Sequence, residues 1–145
     1  MRIPEVDWER TYDNLRRLGA PYNIAFGTVT MLSNSRMALE ASEYARNQGK
    51  YDLFSEKVFQ AYFTEARDIG KSDVIRDLAA ASGLDVKELQ DALRQRRYAP
   101  RLRAAQDAGR RYNVSGVPTF VINEHQVIVG AQPLAVFRET IQQFG

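Results

Sequence analysis

Few side chains in this sequence could do chemistry, and the missing ones limit it first. Cysteine is absent from all 145 residues. That removes disulfide staples, thiolate metal sites and any nucleophilic or redox thiol supplied by this chain. His125 is the sole histidine, so a histidine-based metal cluster is out of reach. It falls between two apolar runs, where an exposed turn residue without a partner to make it a base is expected. Asp52 and Glu56 stand at helical spacing and could face each other. Acid–base work needs a pocket that shifts their protonation, and a solvated pair is the plainer reading. Arg94, Arg96, Arg97, Arg101, Arg103, Arg110 and Arg111 form a basic run with Asp91 and Asp107 as its acidic neighbours. Such a run could bind phosphate. These arginines fall on two helices broken near Tyr98-Ala99, however, and no stacking aromatics interleave with them. A solvated face is expected, and no nucleic-acid partner. There remains Val117-Pro118-Thr119. An X-Pro bond has only a small trans preference, and a cis form marks a tight turn; alternatively Pro118 simply begins a strand, which proline tolerates.

The elements that would position these residues follow from pattern. Twenty basic residues against eighteen acidic ones are too even a balance to imply a polyanionic partner. No apolar run approaches a membrane span and no secretory leader is visible, so the expectation is a cytoplasmic chain with no membrane partner and no cofactor. Pro4 to about Leu18 has helical spacing, with Gly19 as its stop. Tyr22 to Met31 mixes β-branched residues with an isolated Gly27 and reads as loop. Ser33-Asn34-Ser35 caps a helix to about Gln48, with Leu39 and Tyr44 inward. Tyr51 to about Arg67 is the most hydrophobic helix, with Phe54, Val58, Tyr62, Phe59 and Phe63 as a wide stripe at the centre of a helical core. A short helix with Val74, Ile75 and Leu78 closes at Gly83. Asp85 and Glu88 resemble a capping box that opens the next helix, with Leu89 and Leu93 inward. Pro100 fits the first turn of a helix to about Tyr112.

The texture then changes. Gly116 to Asn123 is a turn and a β-branched run, Glu124-His125 a polar break, and Gln126 to Gly130 a second run. Both runs are apolar on both faces, as in a sheet covered on both sides. A last helix from Pro133 carries Leu134, Phe137, Ile141 and Phe144 as an inward stripe.

Tyr112-Asn-Val-Ser-Gly-Val-Pro-Thr-Phe-Val-Ile-Asn123, followed by Val127-Ile-Val-Gly-Ala-Gln132, resembles the closing segment of DsbA-type thiol oxidoreductases. The similarity is to the FrnE-like group in particular, related in fold to 2-hydroxychromene-2-carboxylate isomerase and kappa-class glutathione transferases. Upstream, Ala41-Ser-Glu-Tyr-Ala-Arg-Asn-Gln-Gly-Lys-Tyr51, the Phe54-to-Phe63 helix and Arg67-Asp-Ile-Gly70 resemble that family's helical insertion. The resemblance implies an α/β fold, with a helical insertion over residues 1–112 followed by the C-terminal ββα half of a thioredoxin-like fold over 113–145, together one domain. It implies a cis bond before Pro118 and substrate binding by Val117, Pro118 and Thr119, the backbone of Val117 pairing with an extended, thiol-containing substrate or peptide. The Cys-x-x-Cys strand–helix–strand unit of the family has no counterpart here, so no catalytic residue carries over.

Two strands make a marginal sheet with unpaired edges. The expectation is therefore a truncated family member, redox-inactive on its own, that completes its sheet with a second copy or a complementing cysteine-bearing segment. The alternative is a non-catalytic module that self-associates or binds peptides.

Overall fold

The computed structural model describes residues 7–144; the expected helix start at Pro4 lies outside them. The chain divides into two compact units between Ala99 and Pro100.

In the first unit, α1 spans Trp8–Gly19, and Asp7 caps it by accepting from the Arg10 backbone N–H at 3.0 Å. Residues 23–35 contain no strand. The loop is tied to the 62–64 segment by three hydrogen bonds: Gly27 N–H donates to the Phe63 carbonyl (2.8 Å), Thr64 Oγ1 to the Ala25 carbonyl (2.7 Å), and the Tyr62 hydroxyl to the Met31 carbonyl (3.1 Å). A Cβ at Gly27 would stand 2.3 Å from the Thr64 carbonyl oxygen, so the close approach requires glycine.

Helix α2 covers Arg36–Asn47, α3 Tyr51–Phe59, α4 Ser72–Ala81 and α5 Val86–Arg94. Ala38, Ala41 and Ala45 give α2 a narrow buried face that lets its neighbours approach, and Tyr44, Phe54, Ile75 and Leu89 are the largest fully buried side chains. Leu39, expected inward, is half exposed, because it stands about 140° around the helix from Tyr44 at about 100° per residue. The hydrophobic stripe of α3 is narrower than expected for the same reason. Phe54 and Ala61, seven residues apart, are buried, whereas Phe59 is 62% exposed and Phe63 is also on the surface. Nor does the α-helix run on to Arg67: it gives way to a π-helical turn over Gln60–Thr64, where Phe63 meets Phe26 edge-on at 6.3 Å and Tyr62 at 4.9 Å.

Asp85 caps α5 through the Glu88 backbone N–H (2.9 Å), but the reciprocal half of the capping box is replaced. The Glu88 carboxylate instead accepts from the buried Tyr44 hydroxyl at 3.0 Å. Burial first, and then that bond, push the Tyr44 phenol up to about 12.

The second unit holds α6 (Ala99–Arg111, its first residue shared with the first unit), β1 (Thr119–Ile122), β2 (Gln126–Val129) and α7 (Leu134–Phe144). The strands are antiparallel, with Thr119 opposite Val129 and Phe120 opposite Ile128. The stripe expected to be inward on α7 is mostly not covered. Phe137 packs edge-on against Phe120 at 4.8 Å, while Leu134, Ile141 and Phe144 are exposed. A two-stranded sheet is too narrow to receive all of them.

The contrast between two phenylalanines of one helix is measurable by urea denaturation. Phe54→Ala should lower stability by about 3–5 kcal/mol, and Phe59→Ala by less than about 1 kcal/mol.

Candidate functional site

Pro118 leads straight into β1, and the Val117–Pro118 peptide bond is cis. Val117 is 89% exposed. Thr119 Oγ1 donates back to the Gly116 carbonyl (2.6 Å), and Gly130 N–H donates to the Pro118 carbonyl (2.7 Å). The first bond closes the loop on itself, and the second fixes it to the end of β2. Gly130 has φ +84°, a left-handed position that suits glycine.

The pairing of Pro118 with Gly130 sets the phase of the ladder. In an antiparallel pair, inward- and outward-bonding residues alternate. Phe120 and Ile128 therefore bond across the pair, while Thr119 and Val121 on β1, and Val127 and Val129 on β2, turn their backbone groups outward. On the β2 side, Gln132 Nε2 donates to the outward Val129 carbonyl at 2.9 Å. On the β1 side, nothing among the described residues bonds the outward groups of Thr119 and Val121. The edge next to Val117 is thus open, and the opposite one is partly shut.

The two faces differ as well. Phe120, Ile122 and Ile128 share one face, and α7 reaches it through Phe137. Val121, Val127 and Val129 share the other and are 37–49% exposed.

The remaining candidates lie elsewhere. His125 is exposed in the hairpin turn, where its backbone N–H donates to Ile122 (3.2 Å). Asp52 and Glu56 are exposed on α3. Several arginines are committed to carboxylates, and two of these partners are distant in sequence: Arg96 pairs with Glu40 at 3.1 Å and Arg97 with Glu88 at 3.5 Å. Arg110 pairs locally with Asp107 at 3.0 Å. Glu40, Glu88 and Gln132 carry roles the sequence did not announce; Glu88 and Gln132 sat in strings already singled out, Glu40 did not. Among the described residues, no group of three His, Asp or Glu side chains could hold a metal ion, and no helix is long and apolar enough to cross a membrane.

The sequence model of the DSBA-like thioredoxin domain matches residues 8–142. The chain belongs to the DSBA-like thioredoxin domain family. The uncharacterized protein YwbO of Bacillus subtilis is 33% identical over 126 residues, which cover 86% of this chain and 62% of that protein. A crystal structure of a probable DsbA oxidoreductase from Streptomyces coelicolor superposes with a TM-score of 0.82 at 24% identity, over 93% of this chain and 59% of that one. This likeness supports the α/β thioredoxin-like fold, here mostly helical with a small sheet. The chain spans about three fifths of the length of each of these two proteins.

The edge geometry can be tested at Gln132. Gln132→Ala should free the Val129 carbonyl, lower stability by roughly 0.5–1.5 kcal/mol, and leave the exchange of the Thr119 and Val121 amides unchanged. Slower exchange at those two amides would show that Gln132 does not act on the β2 edge alone.

Proposed function

We propose that the chain is the proline-loop and helical part of a DsbA-like thiol–disulfide oxidoreductase. It is redox-inactive alone and gains activity when a cysteine-bearing segment completes its sheet. The observation that carries this reading is the exposed Val117 turn leading into the open edge of β1, in a family member without cysteine. Thiol–disulfide exchange needs a thiolate to attack a disulfide sulfur, forming a mixed disulfide and releasing the other sulfur as thiolate. No atom of this chain can make that attack. What the chain offers is a place to hold the other reactant: the backbone of Val117, with Pro118 and Thr119 behind it, can accept an extended thiol-bearing peptide by strand pairing.

The same open edge favours a second reading, a non-catalytic module that binds peptides or a second copy of itself. The valine face supports either form of completion, since an apolar face of this kind is stable only when covered. Within the family we place the chain in the cytoplasmic FrnE-like branch, on the strength of its Gly130-Ala-Gln132 and Arg67-Asp-Ile-Gly70 strings.

A thiol–disulfide exchange assay separates the two readings. The purified chain alone should give no exchange above the buffer rate. Mixed with a Cys-x-x-Cys strand–helix–strand segment of a DsbA-like protein, it should exceed the rate of that segment alone at least tenfold. Exchange by the chain alone would overturn the proposed chemistry, and no gain on mixing would favour the binding module.

A further inference from the structure

Two departures from ordinary residue placement meet at one contact in the first unit. Glu40, in the middle of α2, is only 2% exposed. One of its carboxylate oxygens accepts from Arg96 Nε at 3.1 Å, and the other has no partner among the described residues. A buried carboxylate is costly unless its acceptors are filled, so this one depends on a single guanidinium.

Arg96 is itself out of place. Among the described residues, six helix ends carry a left-handed residue whose successor donates back toward the last turn. The 3-10 turn after α1 ends this way at Asn23, with Ile24 N–H on the Gly19 carbonyl, and the π-helical turn at Ala66, with Arg67 on Ala61. For α2 that residue is Gly49, with Lys50 N–H on the Ala45 carbonyl. For α4 it is Gly83, with Leu84 on Ala79, and for α6 it is Asn113, with Val114 on Gly109. Glycine and asparagine are the residues such an ending favours. For α5 the position belongs to Arg96, at φ +52°, with Arg97 N–H on the Ala92 carbonyl at 3.0 Å. An arginine there carries a steric penalty that glycine would not.

Its placement makes sense through Glu40. The left-handed turn sends the Arg96 side chain toward α2, where its Nε meets the buried acid while half of the side chain stays in solvent. Around it, Tyr98 and Ala99 are buried, Tyr98 within the hydrophobic core, whereas Gln95, Arg96 and Arg97 are exposed. The Tyr98 ring stands edge-on to Tyr44 at 6.3 Å, and its hydroxyl accepts from Asn47 Nδ2 at 3.1 Å. Arg97 reaches Glu88 at 3.5 Å.

We propose that the Glu40–Arg96 contact is a latch. Closed, it holds the exposed 95–97 turn on α2; broken, it lets that turn open while Tyr98 keeps its place in the helical core. The turn lies close to the end of the first unit at Ala99.

The decisive variant is Arg96→Gly, because the latch and simple helix-end chemistry predict opposite signs. If Arg96 were only a poor helix-ending residue, glycine would tighten the turn. If it is a latch, glycine releases it. The readout is hydrogen exchange of the Arg97 and Ala99 amides, which donate to the Ala92 and Arg96 carbonyls, taken relative to the Leu89 amide in the same molecule. That ratio cancels any change in global stability. It should rise at least tenfold in Arg96→Gly. In Glu40→Gln, which keeps the side-chain volume and one acceptor, it should rise about threefold. An unchanged or lower ratio in Arg96→Gly overturns the latch. Should that variant not fold, an unchanged ratio in Glu40→Gln overturns it instead.

Discussion

An antiparallel pair of strands with apolar side chains on both faces has two faces to cover and two edges to close, and its own backbone can close only the seam between the strands. That constraint governs the second unit of this protein. α7 covers one face in part through Phe137 on Phe120, and Gln132 bonds the Val129 carbonyl on the β2 edge. The valine face and the β1 edge are left. Ile128 is the single buried hydrophobic residue among the described part of this unit beyond Ala99. A burial of that size contributes about 1.5–3 kcal/mol, far below what ordering several tens of residues requires. On the proposed reading, a partner would finish the unit.

The first unit is finished. Helices α2 to α5 bury Tyr44, Phe54, Ile75 and Leu89 around an alanine-lined α2, and the polar interior is largely paired, as with Tyr44 on Glu88. The chain thus joins a self-sufficient helical core to an incomplete sheet, and the Val117–Thr119 loop belongs to the incomplete part. A loop of this kind can be positioned for binding without carrying any reacting atom. Membership in a thioredoxin-like family and the complete lack of cysteine are compatible on that basis.

The sequence revealed most where the physics is local. β-branched runs and turn residues placed both strands and their hairpin within a residue or two, Gly83 marked a helix end, and Asp85 marked a helix start. Gly27 signalled a loop, and its reason turned out to be the Thr64 carbonyl 2.3 Å from where a Cβ would stand. Tertiary effects were not legible. Nothing in the spacing of Phe54, Phe59 and Phe63 says where the neighbouring helices stop, so the width of the buried stripe was overestimated. Likewise Glu40 and Arg96 lie 56 residues apart, and only the packing of α2 on α5 reveals that they are partners. For the site, Val117-Pro118-Thr119 was visible as a string, but which edge stays open depended on where the Gln132 side chain folds back.

The central claim is that the sheet is incomplete and its β1 edge and valine face seek a partner. Static light scattering of the purified chain at micromolar concentration tests it most directly. The account predicts a mass above that of one chain, rising with concentration, because a second copy is the only completing surface available in that solution. A monomer whose mass stays constant with concentration would contradict it.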